Sequence, residues 1–129
     1  WEAPVSKILI IDDDPAGTGL LITLLGFEGY QGVAPENWAD LVQDIDRERP
    51  DLVMMDVRLM SRDGVEVLRR LRAHPDPDLA STPVLMMSAE DQSTRCRDAG
   101  ANGFIEKPFD RVKLLDTIER ILEGSLEEN

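Results

Sequence analysis

Asp51-Leu52-Val53-Met54-Met55-Asp56 is four apolar residues held between two carboxylates. A run with no polar alternation reads as a strand buried on both faces, the habit of a parallel sheet covered by helices on each side. Its last residue, Asp56, then sits at the carboxyl end of that strand, where open α/β sheets place their ligands. Three more segments share the pattern. Upstream, Lys7-Ile-Leu-Ile-Ile11 runs into Asp12-Asp13-Asp14-Pro15. Downstream, Pro83-Val-Leu-Met-Met87 is followed by Ser88, and Gly103-Phe-Ile105 by Glu106-Lys107-Pro108. A fifth strand is expected at about Tyr30 to Ala34, between Gly29 and Gly32 at its start and Pro35 at its end.

Helical patterns fill the intervals. Pro15 to Gly26 opens on proline behind an acid that can cap it. Pro35 to Glu48 carries Trp38, Leu41, Val42 and Ile45 at helical spacing. Val65 to Ala73 turns Val67, Leu68 and Leu71 inward and leaves Arg69, Arg70 and Arg72 to solvent. His74-Pro-Asp-Pro-Asp78 breaks the chain. Asp91 to Ala99 is a polar helix closed by Gly100. Phe109 to Leu122 points Val112, Leu115, Ile118 and Leu122 at the core. Strand and helix thus alternate five times, which implies right-handed crossovers and one parallel sheet. A single domain is expected from residue 7 to 123. Residues 1–6 read as an N-terminal extension or cloning remnant, and residues 124–129 as an acidic tail or the start of a linker.

Composition narrows the function. Of 129 residues, 26 are Asp or Glu and 14 are Lys or Arg, a net charge of −12. Such a field repels phosphate backbones, so direct nucleic-acid binding is not expected. It favours basic partners and divalent cations. Cys96 is the one cysteine and His74 the one histidine. An internal disulfide, a Cys/His metal cluster and a Ser-His hydrolase centre at Ser88 are therefore ruled out on composition, and the cysteine usage suits a reducing cytoplasm. Cys96 reads as an inert, partly buried helix residue, and Met54, Met55, Met86 and Met87 as core. The longest apolar stretch, Gly19 to Phe27, is too short to span a membrane, and no signal peptide is read.

The strand ends carry the chemistry. In a parallel sheet Asp12, Asp13, Asp56, Ser88 and Lys107 gather round one pocket. Three close carboxylates repel unless a cation joins them. Mg2+ suits them, being satisfied by one or two carboxylates, waters and phosphate oxygens. Asp56 can then attack phosphorus as a nucleophile, while Lys107 and Ser88 neutralise and hydrogen-bond the phosphoryl oxygens.

These motifs, in this order, resemble the receiver domain of two-component response regulators over about Lys7 to Leu122. They are Ile-Ile-Asp12-Asp13-Asp14-Pro15, Asp51 to Asp56 with Asp63-Gly64, Pro83 to Ser88-Ala89, Gly100-Ala-Asn-Gly-Phe104 and Lys107-Pro108. The resemblance implies a flavodoxin-like, doubly wound (βα)5 three-layer sandwich with strand order 2-1-3-4-5. It implies a phosphoryl group on Asp56, with Lys107 and Ser88 assisting. The implied metal is Mg2+, with Mn2+ able to substitute. It would be held by Asp13, Asp56 and the backbone carbonyl of Arg58 directly, and by Asp12 through water. Ser88 and Phe104 would be the switch residues, and Lys107–Pro108 a cis peptide. Arg58 and Glu90 would tune the phosphoryl lifetime, pairing across the pocket mouth. The implied donor is a histidine kinase or histidine phosphotransfer protein. The helix from Asp91, the fifth strand and the last helix would form an output or homodimer face. Such a domain modifies itself and is not a turnover enzyme.

Two departures stand out. Met60 replaces the proline usual four residues past the phosphoacceptor. The first helix, Ala16-Gly-Thr-Gly-Leu-Leu-Ile-Thr-Leu-Leu-Gly26, carries no charge. With Leu20, Leu21 and Leu24 on the sheet, Ile22 and part of Leu25 would face outward, making Ile22 a candidate docking residue for the partner. The alternative function is a phosphorylation-independent interaction module. A rival reading rests on Asp12-x-Asp14, which resembles haloacid dehalogenase-type phosphohydrolases. Ala16 stands where that pattern wants Thr or Val, and the chain is too short for a cap domain.

Overall fold

The computed structural model describes residues 5–124. The chain runs β1 (Lys7–Ile11), α1 (Pro15–Phe27), β2 (Gln31–Val33), α2 (Leu41–Glu48) and β3 (Leu52–Asp56). A small antiparallel ribbon follows, β4 (Arg58–Leu59) and β5 (Arg62–Asp63). The remainder is α3 (Gly64–Arg72), α4 (Pro77–Ala80), β6 (Val84–Ser88), α5 (Ser93–Asp98), β7 (Gly103–Glu106) and α6 (Arg111–Leu122). The main sheet is parallel throughout, in the order β2-β1-β3-β6-β7. Counting only its five strands, that is 2-1-3-4-5, the expected doubly wound order. The reading of residues 1–4 and 125–129 as extension and tail lies outside the described residues.

Strand residues alternate between two cores. Leu9, Ile11, Val53, Met55, Val84 and Met86 pack with α2, α3 and Cys96 of α5. Ile8, Ile10, Leu52, Met54, Leu85 and Met87 pack with Leu25 of α1 and with Leu114, Ile118 and Ile121 of α6. Both faces are covered, which is why these strands show no polar alternation. Part of the acidic surplus is spent on helix starts: Asp14, Asp40, Asp63, Asp76 and Asp110 each accept an N–H at the head of a helix. Each cap stabilises its helix by about 1 kcal/mol.

Several sequence expectations are corrected. α2 begins at Leu41, not Pro35: Asp40 caps it, and the Asn37 N–H donates to the buried Asp44 carboxylate at 2.8 Å. Trp38 therefore lies on a loop, 39% exposed, off the helical stripe. On α1, Leu25 is fully buried while Leu20 and Phe27 are exposed. Ile22 is half-buried rather than outward, because it nests on Gly32 of β2, where a Cβ would lie 3.1 Å from the Ile22 Cα. On α6, Val112 is exposed, and Leu114, Ile118 and Ile121 take the core face. Arg72 is not a solvated charge. Its guanidinium donates to the carbonyls of Ala80, Thr82 and Gly100 and to Asn102 Oδ1, tying α3 to the entry of β6. Cys96 is fully buried, and burial pushes its thiol up to about 11. Among the described residues no helix is long and apolar enough to cross a membrane.

Candidate functional site

The sheet's carboxyl edge brings three side chains together from residues far apart in sequence. Asp12 follows β1, Asp56 ends β3, and Lys107 follows β7. The Lys107 Nζ donates to Asp56 Oδ2 at 2.7 Å and to Asp12 Oδ2 at 3.0 Å. Both carboxylates are nearly buried, at 9% and 8% exposure. Their second oxygens are held by backbone: Asp56 Oδ1 accepts from the Arg58 N–H at 3.2 Å, and Asp12 Oδ1 from the Asp14 N–H at 3.0 Å. The Thr18 hydroxyl, buried on α1, donates to the Asp12 carbonyl at 3.3 Å. Burial pulls the Lys107 pKa down, but the hydrogen bonds and charges of Asp56 and Asp12 outweigh it and hold the ammonium above its ordinary value. The Lys107–Pro108 bond is cis.

Ser88 ends β6, and its buried hydroxyl accepts from the Glu90 N–H at 3.2 Å. Asp56, Arg58, Ser88, Ala89, Glu90 and Lys107 line a cleft of about 400 Å³. Arg58 Nη2 pairs with Glu90 Oε1 at 2.7 Å across its mouth, both side chains being largely exposed. Asp13 is half-buried and accepts no hydrogen bond among the described residues. With Asp12 it borders an apolar groove of about 580 Å³ against Ile22, Trp38, Leu59 and Met60. Phe104 is half-buried on β7, in register with Met86 and packed on the α2–α3 side of the core.

Among the described residues no three carboxylate, thiol or imidazole groups stand close enough to cage a metal. The donors at hand are carboxylate and carbonyl oxygens, with two carboxylates sharing one ammonium. That set suits a hard cation that keeps most of its waters, which is how Mg2+ is bound beside phosphate. The residues fit it.

Two features had only a motif behind them in the sequence. Gly64 lies under the end of β3: a Cβ there would sit 2.1 Å from the Asp56 carbonyl oxygen. Its N–H donates to the Val57 carbonyl at 2.7 Å. Asp63 caps α3 through Oδ1 and pairs with Arg95 of α5 through Oδ2. The Asp-Gly pair was legible, but neither contact was, since both depend on where α5 and β3 lie.

A family model for the response regulator receiver domain matches residues 8–119. The protein PilH of Pseudomonas aeruginosa is 32% identical over 123 residues, covering 93% of this chain and all of PilH. The response regulator MprA of Mycobacterium leprae is 37% identical over 119 residues, covering 90% of this chain; the chain spans half the length of MprA. A crystal structure of the signal receiver domain of a signal transduction histidine kinase from Syntrophus aciditrophicus superposes with a TM-score of 0.80 at 32% identity. That match covers 93% of this chain and 92% of the other.

Proposed function

The chain belongs to the response regulator receiver domain family, and from that premise we propose that it takes a phosphoryl group onto Asp56 and changes shape in response. The observation that carries this reading is the Lys107 ammonium bridging Asp56 and Asp12 at adjacent strand ends. A carboxylate oxygen of Asp56 attacks phosphorus, the bond from phosphorus to the donor nitrogen or oxygen breaks, and the donor leaves with that electron pair. Lys107 and the Ser88 hydroxyl stabilise the charge on the phosphoryl oxygens. Asp13, Asp56 and the Arg58 carbonyl would hold Mg2+ directly and Asp12 through water; when bound, the ion neutralises charge on the transferring group. Phosphorylation replaces one carboxylate by a larger dianionic group and favours a second arrangement of Ser88 and Phe104.

Receiver domains of response regulators are the partners of histidine kinases, and the donor here is a kinase phosphohistidine, a phosphotransfer protein or a small acyl phosphate. Ile22, in the wall of the groove beside Asp13, contributes to docking of the protein donor. Arg58 and Glu90 shield the acyl phosphate from water and lengthen its life. The α5–β7–α6 face serves output or homodimerisation, which sedimentation with and without beryllofluoride would show. The protein is a cytoplasmic signalling module and not a turnover enzyme.

Incubation with acetyl phosphate and Mg2+, followed by borohydride trapping and peptide mapping, tests the assignment. Label on Asp56, lost in Asp56→Asn, is expected. Label on Asp12 would favour the phosphohydrolase-like reading, and no label the phosphorylation-independent interaction module.

A further inference from the structure

The turn Met60-Ser61 folds β4 onto β5 and sets Arg58 directly opposite Asp63 in the ribbon. The two carry opposite charges, yet they are not paired with each other. Arg58 reaches Glu90 at 2.7 Å, and Asp63 accepts from Arg95. Glu90 lies two residues past Ser88, and Arg95 is the third residue of α5. Residues 89–92 belong to no helix or strand; Gln92 offers α5 no side-chain cap, and Asp91 Oδ1 accepts from the Ser93 N–H at 3.0 Å instead. One rung of the ribbon thus grips both ends of the segment leading from Ser88 into α5, with a cation at one end and an anion at the other. The crossed polarity sets the register. Sliding the segment along the ribbon would bring Arg58 towards Arg95 or Asp63 towards Glu90, and like charges repel. The rung is itself fixed to the phosphoacceptor strand by Gly64 beneath the Asp56 carbonyl.

We propose that this crossed pair of ion pairs is a clamp on the Ser88 segment, with Asp63 and Arg95 as its stronger half. In the clamped arrangement the Ser88 hydroxyl is engaged by the Glu90 N–H. It approaches a phosphoryl group on Asp56 only as the clamp yields. Arg95 and Asp63 are positioning residues that act through Ser88 and set how readily the domain switches. Asp63–Arg95 outweighs Arg58–Glu90 because its side chains are 34% and 39% exposed, against 78% and 59%, and exposed pairs are the more heavily screened. The inference rests on the reading of Asp56 as phosphoacceptor.

The test uses the whole chain with beryllofluoride and Mg2+ as the probe, comparing wild type with Arg95→Glu, Arg95→Lys and Glu90→Arg. Arg95→Glu is expected to bind beryllofluoride about three- to fivefold more tightly, the factor a part-exposed ion pair commands, Glu90→Arg by a smaller factor because its pair is the more exposed, while Arg95→Lys stays near wild type. In Arg95→Glu, amide hydrogen exchange should rise together in residues 89–95 and in the ribbon, residues 58–63. A merely structural role would instead weaken beryllofluoride binding in step with melting temperature. Weaker or unchanged binding of Arg95→Glu, with unchanged exchange in the ribbon, overturns the clamp. If wild type binds no beryllofluoride the phosphoacceptor reading falls, and coupled exchange then decides the clamp on its own: present, it stands; absent, it is overturned.

Discussion

Lys107 holds two nearly buried carboxylates together, and its own exposure is only about a third. Removing the ammonium leaves Asp12 and Asp56 without their shared countercharge. Lys107→Met should destabilise the fold by about 1–3 kcal/mol in chelator, below the full cost of breaking a buried pair because water reaches the site. The pH dependence has a definite sign. Folding raises the Lys107 pKa, so its contribution is complete below the ordinary lysine value of about 10.4 and is lost as pH climbs through the folded value. The resistance of wild type to chemical denaturation should fall across that alkaline window, and Lys107→Met should show the smaller change. Gly64 is constrained by space. Gly64→Ala puts a methyl 2.1 Å from the Asp56 carbonyl oxygen, and overpacking of this kind costs about 1–3 kcal/mol. Lower stability together with slower acyl phosphate formation is expected, since the displaced group is the strand that carries Asp56, the proposed phosphoacceptor. Arg58→Ala removes the pair across the cleft mouth and should shorten acyl phosphate lifetime severalfold, read from loss of label after donor removal.

At the scale of elements, α1 is the instructive case. It is apolar on every side, so no stripe in the sequence marks its buried face. The orientation comes from elsewhere: Pro15 and the Asp14 cap start it, the Thr18 hydroxyl ties it to the Asp12 carbonyl, and Gly32 lets Ile22 settle onto β2. This places Leu20 and Phe27 in solvent and Ile22 in the groove wall. Ile22→Lys is expected to slow phosphotransfer from the cognate kinase about tenfold while leaving acetyl phosphate uptake unchanged; equal slowing with both donors would assign the effect to the fold instead. α2 shows the opposite situation. Trp38 fits the helical spacing, but the Asp40 cap and the Asn37–Asp44 bond begin the helix at Leu41, six residues past Pro35. Side-chain bonds to backbone compete with helix, and here they win.

For the whole molecule, the acidic surplus and the site act together. Helix caps use five aspartates, and Asp12, Asp13 and Asp56 add charge at one edge of the sheet. A cation bound to the folded state alone raises stability, by about 2.7 kcal/mol at a hundredfold excess over its Kd. Millimolar Mg2+ should therefore raise the melting temperature of wild type by several degrees, and that of Asp13→Asn much less, in a scan at constant ionic strength. Equal shifts for both proteins would reduce the effect to screening of the net charge.

Sequence alone determined the central strands β1, β3 and β6 and the residues at their carboxyl ends, because burial on both faces imposes uninterrupted apolar runs and the chemistry sits where those runs stop; the strand order came only with the resemblance to the receiver family. Sequence also set the helix start marked by an acid directly before proline, as at Asp14-Pro15. Tertiary structure alone decided which face α1 and α6 bury, the seat of Arg72, the closeness of Gly64 to Asp56 and the pairing of Asp63 with Arg95. Those are contacts between segments distant along the chain. Their partners are fixed by how helices pack on the sheet, and local pattern carries no record of that packing.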